Sequence, residues 1–270
     1  MTEQELKEMR EAMENEGKGQ SKTWRPSKDK TSIRFLPPMK KNGEKIPYLH
    51  HKMHWVNGMP YECLNQSLED SDGNFHEAES CPFCRTGTKL WQGGEQGSEE
   101  QELAKKLFAS DRYVFRILVR GKEDETDPEF YEVGPQIYKK FKSVILDGEY
   151  GNIVHPIEGR DFVIKKEGSG RQTKYENSAP AANVSQMFES KDDIKKTLQK
   201  ATEMNFNTLI KFKSADELKQ AVKDFLDPTA SSNSSSQKED IKPSKSLKEE
   251  SSESVSATDN DVEDMLSEFF

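Results

Sequence analysis

The sequence predicts a mainly β protein with flanking helices, a small barrel or sandwich that runs into a disordered acidic tail. Three observations predict it. Between Ile33 and Ile164, short runs rich in β-branched and aromatic residues recur between clusters of Pro, Gly and Asp. From Ser190 to Leu226 the apolar residues return at helical spacing. From Thr229 to Ser256 the chain is dominated by Ser, Lys and Glu, with too little apolar surface to offset the entropy of ordering it.

Each element has its own signal. Leu6, Met9 and Met13 at helical spacing, ending at Gly17 and Gly19, predict an N-terminal helix over 3–16. Strands are predicted over 32–36, 113–119, 130–133 and 161–165. One amphipathic helix, 134–146, interrupts them. Ile194, Leu198, Leu209, Leu218, Val222 and Phe225 predict helices within 190–226. There is no internal repeat. The chain is expected to divide into an N-terminal helical segment (1–20), a core (21–228) and a linker with an acidic tail (229–270).

Composition narrows the class. Of 270 residues, 33% are charged and 32% hydrophobic, and no stretch approaches the roughly 20 apolar residues of a membrane-spanning helix. The opening Thr2, Glu3, Gln4 and Glu5 offer no secretory apolar region, so a cytosolic protein without a membrane partner is expected. The net charge of −9 is unevenly spread: residues 249–270 hold eight acidic side chains and no basic one. Lys18 to Lys52 holds ten Lys and Arg against Asp29 and Glu44. The last residues interleave Asp259, Asp261, Glu263 and Asp264 with Met265, Leu266, Phe269 and Phe270. Such a peptide can fold onto a basic, apolar groove of a partner.

The cysteines carry the most specific motif. Cys81-Pro-Phe-Cys84 offers two thiolates on a tight turn, half of a tetrahedral zinc site. Cys63 lies 18 residues upstream of Cys81, and His50, His51, His54 and His76 are candidates for the fourth ligand. Asn57-Gly58 is a strong hairpin signal. It sets Val56 opposite Met59, His54 opposite Tyr61 and Lys52 opposite Cys63. By strand alternation His54 and Cys63 then share a face as diagonal neighbours, and His51 points to the other. The expected set is His54, Cys63, Cys81 and Cys84, with His50 as the substitute. Four protein ligands close the sphere, which predicts one structural zinc and no enzymatic activity; a zinc hydrolase is disfavoured. A zinc deaminase needs H-x-E and P-C-x-x-C, which His76-Glu-Ala and Cys81-Pro-Phe-Cys84 do not supply. A thioredoxin-like pair would lack its βαβ context and leave Cys63 unexplained.

Tyrosines recur beside cations: Arg112-Tyr113, Phe130-Tyr131, and Arg171-Gln-Thr-Lys174-Tyr175. The predicted helix reads Tyr138-Lys139-Lys140-Phe141-Lys142. Rings stacking on bases while cations track phosphates is how proteins hold single strands without sequence choice. The candidate nucleic-acid residues are Arg112, Tyr113, Arg116, Tyr131, Lys139, Lys140, Lys142, Arg171, Lys174 and Tyr175.

The zinc spacing, the strand Arg34-Phe35-Leu36-Pro37, the segment Phe212-Lys213-Ser214-x-x-Glu217-Leu218 and the acidic Ser-rich end resemble one family. It is the single-stranded DNA-binding (helix-destabilising) proteins of T-even-type bacteriophages, and the likeness covers most of Thr31 to Phe270. The resemblance implies an OB-fold core with a zinc-binding subdomain at about 46–92, coating single-stranded DNA in the cytoplasm of an infected host cell. It implies roles in replication, recombination and repair, and a tail that recruits a DNA polymerase, a helicase loader and a recombination mediator. Tyr113, Tyr131 and Tyr175 match family tyrosines of the DNA groove. The family's basic N-terminal arm docks on a neighbouring protomer, giving cooperative self-association. Here residues 3–16 carry six glutamates, and the nearest basic and hydroxyl cluster is Lys18 to Thr23. The rival reading is a zinc-ribbon adaptor that binds proteins and no nucleic acid.

Overall fold

The computed structural model describes residues 23–41, 44–169 and 172–227. The predicted N-terminal helix, Arg171 and the acidic tail lie outside the described residues. In chain order the strands are β1 (Lys30–Phe35), β2 (Met39–Lys41), β3 (Glu44–Ile46), β4 (Leu49–Val56), β5 (Met59–Glu62), β6 (Leu68–Glu69), β7 (Phe75–His76), β8 (Ser110–Val119), β9 (Glu129–Val133), β10 (Phe162–Lys165) and β11 (Ala179–Pro180). The helices are α1 (Pro82–Gly93), α2 (Glu99–Leu107), α3 (Pro135–Asp147), α4 (Lys191–Glu203) and α5 (Ala215–Leu226), with a 3₁₀ turn at Phe206–Leu209. The fold is mainly β sheet with flanking helices, as predicted. The chain forms two units, one from residues up to His50 and from Asp111 to Leu209, the other from His51 to Ser110 and from Ile210 onward.

In the first unit an antiparallel sheet runs β11-β10-β1-β8, and β9 pairs with β8. Within this unit β8 has a partner on each edge, Ile117 lying opposite both Phe35 of β1 and Glu129 of β9. Alternation then sorts the side chains. Ile33, Phe35, Phe115, Ile117, Val119, Tyr131, Val133, Phe162 and Ile164 share one face and form the core, completed by Ile137 of α3. Val114 and Phe130 point the other way, onto Phe206. Both faces of β8 are therefore covered, and its run Val114–Val119 is buried throughout. Arg34 is fully buried on β1; its guanidinium donates to Asp161 at 2.8 Å and to Ser185 Oγ at 2.6 Å, so the charge is paired. α3 starts at Gly134-Pro135 and stops at Gly148, whose φ of 72° only glycine adopts without strain.

The second unit carries the β4–β5 hairpin, α1, α2 and α5. Leu64, Phe83, Leu107, Leu218 and Val222 pack together in its core. Here the sequence expectation of a single helix between Ile33 and Ile164 is corrected, since α1 and α2 also form. α1 is poor in helix formers, with Thr86-Gly87-Thr88 in its middle. It persists by packing: a Cβ on Gly87 would stand 3.1 Å from the Phe108 ring, tighter than ordinary contact, so the absent side chain lets the two come close. α2 has a legible start, Ser98 accepting from the Gln101 N–H, with three glutamates in the first turn and Lys105 and Lys106 in the last.

Candidate functional site

The hairpin fixes the first two residues of a candidate metal centre. Asn57 and Gly58 both have positive φ, 50° and 78°, as a two-residue type I′ turn demands. Val56 pairs with Met59 and His54 with Tyr61, and the Cys63 N–H donates to the Lys52 carbonyl at 2.9 Å. The predicted register therefore stands, and His54 and Cys63 face the same side. Cys81 and Cys84 arrive from the start of α1, where Cys81 is the N-cap and Pro82 the first helical residue. All four ligand atoms lie within 4.8 Å of one another.

The spacings fit a tetrahedral ion. Cys63 and Cys84 sulfurs are 3.6 Å apart, and His54 Nε2 lies 3.3 Å from Cys81 Sγ and 3.8 Å from Cys84 Sγ. With zinc–sulfur bonds of about 2.3 Å and zinc–nitrogen bonds of about 2.0–2.1 Å, the edges of a regular tetrahedron come to roughly 3.6–3.8 Å. His54 Nδ1–H donates to the Leu107 carbonyl at 2.7 Å, which leaves the Nε2 lone pair turned toward the sulfurs. Burial works against the charged imidazole, but contact with the Cys81 and Cys84 sulfurs outweighs it and raises His54 to about 9. Hydrogen bonds from Cys63 and Cys84 hold the Cys81 thiol well below its ordinary value, while Cys63 is pushed up, first by its contact with Cys81. A divalent cation bound among the sulfurs would favour their thiolate forms. The residues can hold a metal ion, and they are the set read from the sequence.

His50 is not among them. Its Nε2 lies 2.8 Å from Asp111 Oδ1, in the first unit. His51 pairs with Glu62 at 2.9 Å and His76 with Asp70 at 2.7 Å.

The predicted nucleic-acid residues part into two groups. Lys139, Lys142 and Lys174 are exposed, Lys140 and Arg112 half-buried, with Arg112 3.7 Å from Glu132 and Lys174 3.9 Å from Glu176. Tyr175 is half-buried against the core, its N–H donating to the Gln136 side chain at 3.1 Å. Tyr113 is half-buried at the end of β8 and joins an aromatic group. Its ring is parallel to Tyr138 at 3.5 Å on one side and to His50 at 4.7 Å on the other. Tyr48 meets both tyrosines edge-on, and its hydroxyl bonds that of Tyr138 at 2.9 Å.

Two candidates are placed otherwise than the sequence suggested. Tyr131 is only 3% exposed. It lies on the core face of β9, with Trp24 bridging to it in parallel and meeting its ring edge-on at 4.9 Å. Burial pushes its hydroxyl far up. Arg116 is 5% exposed. Alternation turns it away from Tyr113 and onto Phe206, 4.0 Å from the ring centroid, where Nη2 donates to the Met204 carbonyl at 2.8 Å. Burial lowers it to about 10. Neither offers a free surface to a ligand. Sequence reasoning quoted Tyr138 beside its lysines without making it a candidate and passed over Tyr48; the i, i+2 pair Tyr48 and His50, spanning the start of β4, was the available signal.

A family model described as "gp32 DNA binding protein like" matches residues 28–226, about three quarters of the chain. No curated protein matches the chain. Among the described residues no helix is long and apolar enough to cross a membrane.

Proposed function

Because the chain belongs to the family of gp32-like DNA-binding proteins, we propose that it coats single-stranded DNA during replication, recombination and repair and catalyses no reaction. The observation that carries this reading is the aromatic group of Tyr48, Tyr113 and Tyr138 beside Lys139, Lys140 and Lys142, within the matched region. Rings for bases and cations for phosphates are the two parts that sequence-tolerant single-strand binding needs.

In this reading the first unit is an OB-fold, a reading favoured by its antiparallel sheet and the helix α3 after β9. The metal is one structural zinc held by His54, Cys63, Cys81 and Cys84, a set whose three sulfurs select a thiophilic ion. The acidic residues of 249–270 recruit a polymerase, a helicase loader and a recombination mediator, and copies of the chain associate along DNA in the cytoplasm of an infected host. The test is a titration of single- and double-stranded DNA at several salt concentrations. A strong single-strand preference with a steep salt slope is expected. No DNA binding at low salt would leave the protein-only adaptor.

A further inference from the structure

The geometry points to His50 as a base-stacking residue, the outer member of a preassembled three-ring column in which Tyr113 is filling. The inference rests on the single-strand reading above and specifies which faces meet the nucleobases.

Tyr113 has no free face. Tyr138 covers one side, 3.5 Å away and inclined by 2°, and His50 covers the other, 4.7 Å away and inclined by 12°. A base cannot stack on Tyr113 without breaking one of these contacts. The column's open end is the imidazole of His50. Its ring is held in plane on two sides: by Tyr113 against one face, and by Asp111, whose Oδ1 lies 2.8 Å from Nε2. Its side chain is nonetheless 44% exposed, and with one face and one edge engaged, that exposure includes the opposite face. An oriented, half-exposed ring continuing a stack is what an unpaired base meets at lowest ordering cost. Asp111 and Tyr113 are then positioning residues. Tyr48 braces the column from the side through its hydroxyl bond to Tyr138. Lys142 acts on the Tyr48 hydroxyl electrostatically, which places a cation near the column.

The experiment uses the full chain and oligo(dT). Proton NMR of the His50 imidazole should show upfield ring-current shifts on adding the oligonucleotide. His50→Ala should weaken binding about 5- to 10-fold, the lower end of single-base stacking, with the salt slope and melting temperature of the wild type. His50→Phe, which keeps a flat ring and carries no charge, should restore affinity. Binding by His50→Ala within twofold of wild type would overturn the inference and leave the single-strand reading intact. So would a Phe variant as weak as Ala with a reduced salt slope, since that marks a phosphate contact. A wild-type chain that bound no single strand would overturn both.

Discussion

Cys81 serves two structures at once, as N-cap of α1 and as a member of the four-residue cluster. The Cys81 side chain makes no capping hydrogen bond, so Cys81→Ser takes a sulfur from the cluster without leaving a cap unmade. Protein purified without chelator should carry one zinc per chain by elemental analysis, and Cys81→Ser should lose it and melt earlier. Tyr131 gives a contrasting case. Tyr131→Ala should destabilise by about 3–5 kcal/mol, the range for emptying a large aromatic site, and the protein still folded should bind single strands as the wild type does. Thermal melts run beside titrations separate the two effects. The ligand set was legible because Asn57-Gly58 fixes a register and alternation fixes a face. The burial of Tyr131 was not, because Trp24, which covers it, comes from a remote part of the chain. Nor was the fate of Arg116: a cation between apolar residues of a strand reads as solvent-facing until Phe206 and the Met204 carbonyl are seen beneath it.

Among the elements, α5 has the most complete local code. Ser214 and Glu217 form a reciprocal capping box, and Lys213 pairs with Glu217 at 2.9 Å. Hydrogen bonding to Lys213, then to the Ser214 amide and hydroxyl, holds the Glu217 carboxyl down at about 2 from an ordinary 4.5. The fold therefore binds fewer protons than the unfolded chain here, and stability falls with falling pH. The contribution is complete above 4.5 and is lost as pH drops toward 2. Amide exchange of α5 should quicken across that window, and Glu217→Gln should flatten the dependence. Ser214→Ala should cost about 0.5–2 kcal/mol. The apolar spacing of Leu218, Val222 and Phe225 announced this helix, and Ser214-x-x-Glu217 and Ser98-x-x-Gln101 were the start signals available for α5 and α2. α1 had no such announcement, because its stability lies in what packs over Gly87 rather than in its own residues.

At the scale of the molecule the chain passes between its two units three times, after His50, after Ser110 and after Leu209. Each unit keeps its own core, so removing the metal should act on one of them. With a chelator and a thiol reagent, amide exchange should rise in β5, α1 and α5, whose residues pack around the sulfurs, while β1, β9 and β10 stay protected. Uniform loss of protection would show that the metal supports both. β1, β8, β9 and β10 were readable from composition, but the interleaving was not, since nothing in a local pattern tells a strand which unit will claim it. That interleaving has a consequence during synthesis. All four ligands exist once Cys84 is made, yet α5, which supplies Leu218 and Val222 to the same core, is finished only at Leu226. At 5–20 residues per second, the intervening stretch of about 140 residues takes roughly 7–30 s to translate. Throughout that interval the nascent thiolates stand without their last covering helix, open to ion exchange and to oxidants. Capture of a metal on the ribosome would therefore be an early event under competition, and arrival of α5 would be the step that closes the site over it.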